Sequence, residues 1–197
     1  MMKDIILASQ SPRRKMLLEW AELEFEVIVK HSDETYPEGL DFPEIAIHIA
    51  TTKAEAVRAH VKDAYHSQLA AKTILAADTI VVLEGQVIGK PANRTEAIRI
   101  LKSLSGKTHQ VITGVAILHA AGKEFFADTT EVRFHSLTDE QIIFYVDKYE
   151  PYDKAGAYAI QEWIGVVGIA SINGDFYNVM GLPVSRVVQA LQRISEA

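Results

Sequence analysis

The sequence predicts an α/β fold built on a long mixed β-sheet flanked by helices. Two observations carry that expectation. Short apolar runs of strand character alternate with helical stretches early in the chain. Paired strand-like runs joined by Gly-containing turns then dominate its middle.

The elements follow in order. Ile5 to Ala8 is short and apolar and reads as a strand. Ser11 suits an N-cap and Pro12 the first helical position. The helix behind them repeats Met16 with Trp20 and Leu17 with Ala21 at i and i+4. "FEVIV", residues 25–29, reads as a second strand. An acidic, turn-rich stretch holds Asp33, Glu34, Glu38 and Asp41. Pro43 opens a long helix to about Val61, with Ala46, Ile49, Ala50, Ala54 and Val57 on one side. "TILAADTIVVLEGQVIG" reads as strand, Glu84-Gly85 turn and strand. Asn93 and Glu96 have capping-box spacing, and Gly106 suits a helix stop. Strand-like runs over 108–119 and 124–134 flank Ala121-Gly122. Thr138 and Gln141 cap a helix to about Lys148. Residues 164–172 and 175–179 read as a hairpin around Asn173-Gly174. Pro183 starts the last helix, with Val187, Val188 and Leu191 apolar.

The totals set bounds. The chain has 197 residues, is 48% hydrophobic and 23% charged, and carries a formal charge of −6. That length suits one domain or two small lobes. The negative balance argues against a broad basic face for nucleic acid, so an anionic ligand must meet a local cluster of cations or a metal ion. There are no cysteines, which excludes disulfides, thiolate metal sites and a cysteine nucleophile. No apolar stretch is long enough to span a membrane. The first residues are too short an apolar run for a signal peptide. A soluble, intracellular protein is expected.

Four stretches attract attention as chemistry. In "SQSPRR", Arg13 and Arg14, with Lys15 behind them, occupy the first turn of a helix, the end where cations are unfavourable. A phosphate docked on the free N–H groups would make them favourable, with hydroxyls from Ser9 and Ser11. The alternative is arginines that are solvated or paired with Glu19 or Glu22. In "ILAADTIVV", Asp78 and Thr79 interrupt an apolar run. A buried carboxylate must be paired or bind a metal. Asp78 reads either as an exposed residue at a strand end or bulge, or as a general base, a metal ligand, or both in turn. In "GKPAN", Gly89 and Pro91 fix the backbone around Lys90, which suits a phosphate or a surface turn. Lys53 lies near the apolar side of its helix, where its stem can snorkel. In "EPYDKAGAYAIQEW", Asp153, Lys154 and Gln161 surround small residues that admit a ligand close to the backbone. A Gln amide suits the edge of uracil, thymine or adenine. The seven histidines, His60 and His66 among them, lack metal-ligand spacing.

"LASQSPRR", "AADT", "GKP", "LSGKTHQVITGV" and "DKAGAYAIQ" stand in the order and spacing of the Maf family of nucleoside triphosphate pyrophosphatases. The resemblance continues to "VMGLPVSRV" and so covers nearly the whole chain, 1–197, as one Maf-like domain. It is closest to the branch acting on dTTP and UTP. The resemblance implies hydrolysis between the α- and β-phosphates, releasing pyrophosphate and a nucleoside monophosphate, with a divalent cation, Mg²⁺ or Mn²⁺. It implies a fold similar to inosine-triphosphate pyrophosphatases, with two lobes and a central cleft. It makes Asp78 the proton acceptor and metal ligand. Arg13, Thr79 and Gln161 match positions that set substrate choice. Ser9, Arg14, Glu34, Lys53 and Lys90 match polar cleft positions, Glu34 as a second metal ligand. It also implies a cytoplasmic homodimer and a link to septum formation.

The chain departs from the family at Ala159, where Gly is usual, and at Glu162-Trp163, where a Gly-rich turn is usual. The extra methyl and the indole either narrow the base pocket or pack beneath it. Two rival readings are kept: turnover of modified or other nucleotides, and a cell-division regulator that binds nucleotide without turnover.

Overall fold

The computed structural model describes residues 4–64 and 72–196, with no side-chain description at 63 and 64. His66 lies outside the described residues. Seven strands form one mixed sheet in the order β2-β1-β3-β5-β6-β7, with β4 paired to β3. The strands are β1 (Ile5–Leu7), β2 (Phe25–Val27), β3 (Thr73–Leu83), β4 (Gln86–Ile88), β5 (Thr108–His119), β6 (Gly122–Phe134) and β7 (Ile169–Asn173). β1 pairs in parallel with β2 and with β3; β4 runs antiparallel to β3, and β7 to β6. The helices are α1 (Pro12–Trp20), α2 (Phe42–Ala64), α3 (Arg94–Leu104), α4 (Asp139–Tyr149), α5 (Trp163–Gly168), α6 (Phe176–Met180) and α7 (Val184–Glu196). The expected α/β class and long mixed sheet are both present.

The described residues fall into two compact units. Those within Met1–Asp78, Thr113–Asp128 and Gly181–Ala197 form the first; Thr79–Ile112 and Thr129–Met180 form the second. The long strands β3, β5 and β6 each contribute residues to both.

In the first unit the predicted apolar face of α2 is the packed one. Ala50, Ala54, Val57 and Val61 join Ile6, Ala8, Ile74, Ala76, Ala116 and Leu118 in one buried cluster. Burying such side chains supplies the main driving force for the unit, at about 1.5–3 kcal/mol for each large one. In the second unit Val81, Val111 and Val132, from three strands, form a buried group against Ile88, Ala155, Ile169 and Val179.

Local signals set the helix ends. Ser11 Oγ accepts from the Arg14 N–H, as an N-cap should, and Pro12 opens α1. Thr138 and Gln141 make a reciprocal capping box at α4. At α3 the Asn93 side chain accepts from the Glu96 N–H, while the Glu96 carboxylate takes the Ala92 N–H. Gly106, at φ +70°, follows the end of α3.

Two expectations are corrected. Residues 164–168 are helix α5, and only Ile169–Asn173 is strand. The turn closes early because the Gly165 N–H donates to the Glu162 carbonyl. Residues 176–180 are helix α6, so the predicted hairpin has one strand. Asp175 Oδ1 accepts from the Tyr177 N–H at 2.7 Å and starts a helical turn, and Asn178 is buried, donating to the Val111 carbonyl and to Thr130 Oγ1. The α1 stripe also differs. Arg14, Leu17 and Leu18 are its buried residues, and Trp20, at the helix end, is 60% exposed.

Candidate active site

Strand β3 rises through the first unit as an unbroken buried run, Thr73 to Ala77, before reaching Asp78. Asp78 is therefore mid-strand, not at a strand end. Its side chain is 14% exposed and receives a hydrogen bond from Lys53 Nζ, 2.6 Å from Oδ1. Lys53 comes from α2, one residue before buried Ala54, and its own side chain is 19% exposed. The stem follows the packed face and the ammonium emerges at Asp78. The same Nζ lies 2.7 Å from Glu34 Oε1, a carboxylate 54% exposed, so one cation gathers two acids.

The start of α1 supplies a second knot of bonds. Arg14 turns back from the helix and is buried. Its Nε donates to the Gly181 carbonyl at 2.7 Å and its Nη1 to Ser9 Oγ at 3.1 Å. Ser9 Oγ also accepts the Ser11 N–H at 3.2 Å. Two lone pairs of that hydroxyl are thereby used, and its proton remains to be donated. Burial pulls the Arg14 pKa below its ordinary value; Asp78 and Glu34 raise it, and Arg13 adds to the lowering. Arg13, Arg14, Asp78 and Glu34 thus share one electrostatic neighbourhood. Lys15 takes the bland course, lying 3.7 Å from Glu19 on the exposed side of the helix.

The cation-rich helix start therefore has two explanations. Lys15 is met by a surface acid. Arg14 is neither solvated nor paired with Glu19 or Glu22, because a distant carbonyl holds it.

Thr79, Lys90 and Gln161 belong to the second unit. Thr79 follows Asp78 in β3 and is half-buried. Lys90 is exposed between Gly89, whose carbonyl accepts from the Gly156 N–H at 3.2 Å, and buried Pro91. Gln161 is exposed within a loop whose neighbours are buried: Ala157, Tyr158, Ala159 and Ile160. Gly156 and Ala157 both lie in the left-handed region, at φ +72° and +57°. Ala157 carries a Cβ there and so holds about 1–2 kcal/mol of strain, imposed by the packing around it. Lys154 is buried, 2.7 Å from Asp153 Oδ1 and 3.7 Å from Glu162 Oε1.

A family model described as "Maf-like protein" matches residues 4–194. The chain belongs to the Maf-like family. Among curated relatives, a dTTP/UTP pyrophosphatase of Parabacteroides distasonis is 48% identical over 95% of this chain and 94% of its own length. A second, from Cytophaga hutchinsonii, is 47% identical over 97% of this chain and 84% of its own. The structure of the Staphylococcus aureus Ham1 protein is similar over 68% of this chain and 72% of that one, at TM-score 0.43 and 16% identity.

Within one unit, Ser9 and Arg14 are thus joined by a hydrogen bond and Lys53 by ion pairs to Asp78 and Glu34, and Arg14 feels the charge of both acids. Several partners escaped sequence reasoning. Gly181, at φ +117°, offers its carbonyl to Arg14; the only hint was a glycine placed just ahead of Leu182-Pro183. Tyr145 is fully buried and bonded to Glu162 and to the Ala159 N–H. Nothing in the apolar run around it marks that role. Of the residues on either side of Gln161, Ala159 is buried, and Trp163 meets Phe144 edge-on at 4.8 Å between ring centroids.

Proposed function

We propose that this chain hydrolyses dTTP and UTP between the α- and β-phosphates, yielding the nucleoside monophosphate and pyrophosphate. The observation that carries the reading is the Lys53–Asp78 bond: a mid-strand carboxylate is held by a lysine, beside two arginines and the start of a helix. Such a group can accept a proton from water, and the cations around it can stabilise phosphate charge. The curated relatives' names supply the nucleotides.

In this reading Asp78 takes the proton of the attacking water. Lys53 occupies Oδ1 and fixes the carboxylate's rotation, so Oδ2 faces the water. Ser9, Arg13, Arg14 and Lys90 meet the triphosphate, and Gln161 and Thr79 read the base. A uracil or thymine ring offers an N3–H donor beside a carbonyl acceptor, which one Gln amide can satisfy at once.

The donor set fits a divalent cation. Asp78 and Glu34 are hard oxygen donors that already converge on one positive group. Mg²⁺ takes one or two carboxylates and completes its shell with phosphates and water. Among the described residues no cluster of three or more His, Asp or Glu side chains forms a protein-only cage. Asp78 and Glu34 would hold Mg²⁺ or Mn²⁺, which when bound would offset the phosphate charge. No helix among the described residues is long and apolar enough to cross a membrane. We read the protein as a cytoplasmic homodimer that takes nucleotides, not nucleic acid.

Pyrophosphate release from dTTP, UTP, CTP, ATP and modified nucleotides, with Mg²⁺ or Mn²⁺, tests the proposal. Pyrophosphate from dTTP and UTP in preference to the others is the expected result. Orthophosphate as the product, or no turnover with either metal, would overturn it.

A further inference from the structure

One buried phenol holds both neighbours of the exposed Gln161 loop position. Tyr145, on α4, donates its hydroxyl to Glu162 Oε2, the residue after Gln161. The same oxygen accepts the Ala159 N–H at 3.1 Å, two residues before Gln161. Tyr145 has no exposed surface, and its ring stacks on Tyr149 at 5.0 Å between centroids. Its ring is therefore supported within α4 as well as by its bonds to the loop. The Glu162 N–H closes the turn onto the Ala159 carbonyl at 3.1 Å. A Cβ at Gly165 would lie 1.7 Å from the Ile160 carbonyl oxygen, so the loop is also pressed against the first turn of α5. Lys154 approaches the other Glu162 oxygen at 3.7 Å.

We infer that Tyr145 is a positioning residue: its hydroxyl, clamping Ala159 and Glu162, fixes the conformation in which Gln161 is presented, and so governs base selectivity without touching substrate. The inference rests on the proposed role of Gln161 as the base reader. A hydroxyl supplies one proton and two lone pairs, and here one proton and one lone pair go to the two flanks of a four-residue loop. Loss of the proton donor frees the Glu162 carboxylate; loss of the acceptor leaves a buried N–H unpaired. Both release the same turn.

The experiment uses the intact protein and the substitution Tyr145→Phe, which keeps the ring and removes only the oxygen. Native-state hydrogen exchange follows the Ala159 and Glu162 amides against those of α4. The kcat/KM values for dTTP, UTP, CTP and ATP are measured in wild type, Tyr145→Phe, Gln161→Ala and the double variant. The expected result is at least a 10-fold loss of protection at Ala159 and Glu162, with α4 amides unchanged. The dTTP and UTP lead over CTP narrows about 5- to 20-fold in Tyr145→Phe. In the Gln161→Ala background the same change adds nothing to that ratio, because the two act through one group. Glu162→Gln, which still accepts from the hydroxyl, keeps the ratio, and Glu162→Ala loses it. Unchanged loop protection, equal losses on all four nucleotides, or additive effects with Gln161→Ala would overturn the inference. A Gln161→Ala enzyme of unaltered selectivity would refute the base-reading role itself, while loop protection would still decide for or against the staple.

Discussion

Lys53 Nζ lies 2.6 Å from Asp78 Oδ1, a bond from helix α2 to the middle of strand β3. Both side chains are mostly buried, and the lysine also meets the more exposed Glu34. A carboxylate held by one oxygen cannot rotate freely, which is what a positioned base requires. The same geometry makes the pair dispensable for folding in one specific sense: an amide at position 78 still offers Lys53 an oxygen.

Asp78→Asn should therefore lower turnover about 10²–10⁴-fold, the usual worth of a general base. The fold should survive, with a melting midpoint within a few degrees of wild type. Steady-state kinetics and a thermal melt check both halves. A rate near wild type would remove Asp78 from the mechanism.

Arg13 and Arg14 are neighbours with different expected costs. Arg14→Ala loses the bonds to the Gly181 carbonyl and Ser9 Oγ in buried surroundings, and should destabilise the protein by about 2–4 kcal/mol. Arg13→Ala removes a cation from the positive end of α1, which favours the folded state by about 0.3–1 kcal/mol and offsets its lost contacts. Denaturant unfolding without nucleotide should show a large change for Arg14 and one within about 1 kcal/mol for Arg13, whose loss should instead raise KM. Equal destabilisation by the two would make Arg13 a structural residue as well.

These residues mark how far the sequence was legible. Local chemistry was. Ser11 and Pro12 start α1, Thr138 and Gln141 start α4, and the Ala46–Val57 stripe of α2 is buried, because caps and helical periodicity act within a few residues. The run "ILAADTIVV" reads as chemistry or as an exposed strand end or bulge; it is continuous strand whose mostly buried acid is paired. The failures are long-range or ambiguous in period. Arg14 finds its partner 167 residues away, which no local pattern encodes. Residues 164–168 and 176–180 are short apolar runs, and a few apolar residues fit a strand or a helix equally. The Gly165 turn and the Asp175 cap decided for helix. Tyr145 sits on an apolar helix stretch where only tertiary contacts reveal that its oxygen is used.

Stability should depend on pH through His109. The residue is buried in the second unit, stacked on Phe134 and bonded through Nε2 to the Tyr158 hydroxyl at 2.7 Å, while among the described residues Nδ1 has no partner. Burial lowers its pKa to about 4 and raises that of Tyr158. In the unfolded chain the imidazole titrates near its ordinary 6.5. The unfolded state thus binds the extra proton first. The contribution is full above pH 6.5 and falls as the pH drops toward 4, by about 3 kcal/mol in all. Urea unfolding from pH 7 to 4 should show this slope, and His109→Gln, which keeps a partner for Tyr158, should lose that part of it. Identical slopes in the two proteins would exclude His109 as the titrating group.

Gly114→Ala should damage stability and catalysis together. Gly114 lies in β5 where the strand backbone meets α2 directly. A Cβ there would fall 2.2 Å from the Ala46 carbonyl carbon, 2.3 Å from the Ile47 nitrogen and 2.5 Å from the Ala46 oxygen. Those are main-chain atoms, so no side-chain rotation relieves the clash and the helix itself must move. Overpacking of this kind costs about 1–3 kcal/mol or more. Lys53 stands seven residues beyond Ala46, about two turns along the same helix face. A shift of α2 away from the strand would therefore lengthen the 2.6 Å Lys53–Asp78 bond. The comparison that separates the two effects is Val187→Ala, a cavity in α7 that should destabilise to a similar degree without moving α2. At a temperature where both variants remain folded, Gly114→Ala should lose about 10-fold or more in kcat and Val187→Ala should keep wild-type kcat. Wild-type kcat in folded Gly114→Ala would mean that the close approach of β5 and α2 serves packing alone, and that Lys53 reaches Asp78 whatever the exact seat of its helix.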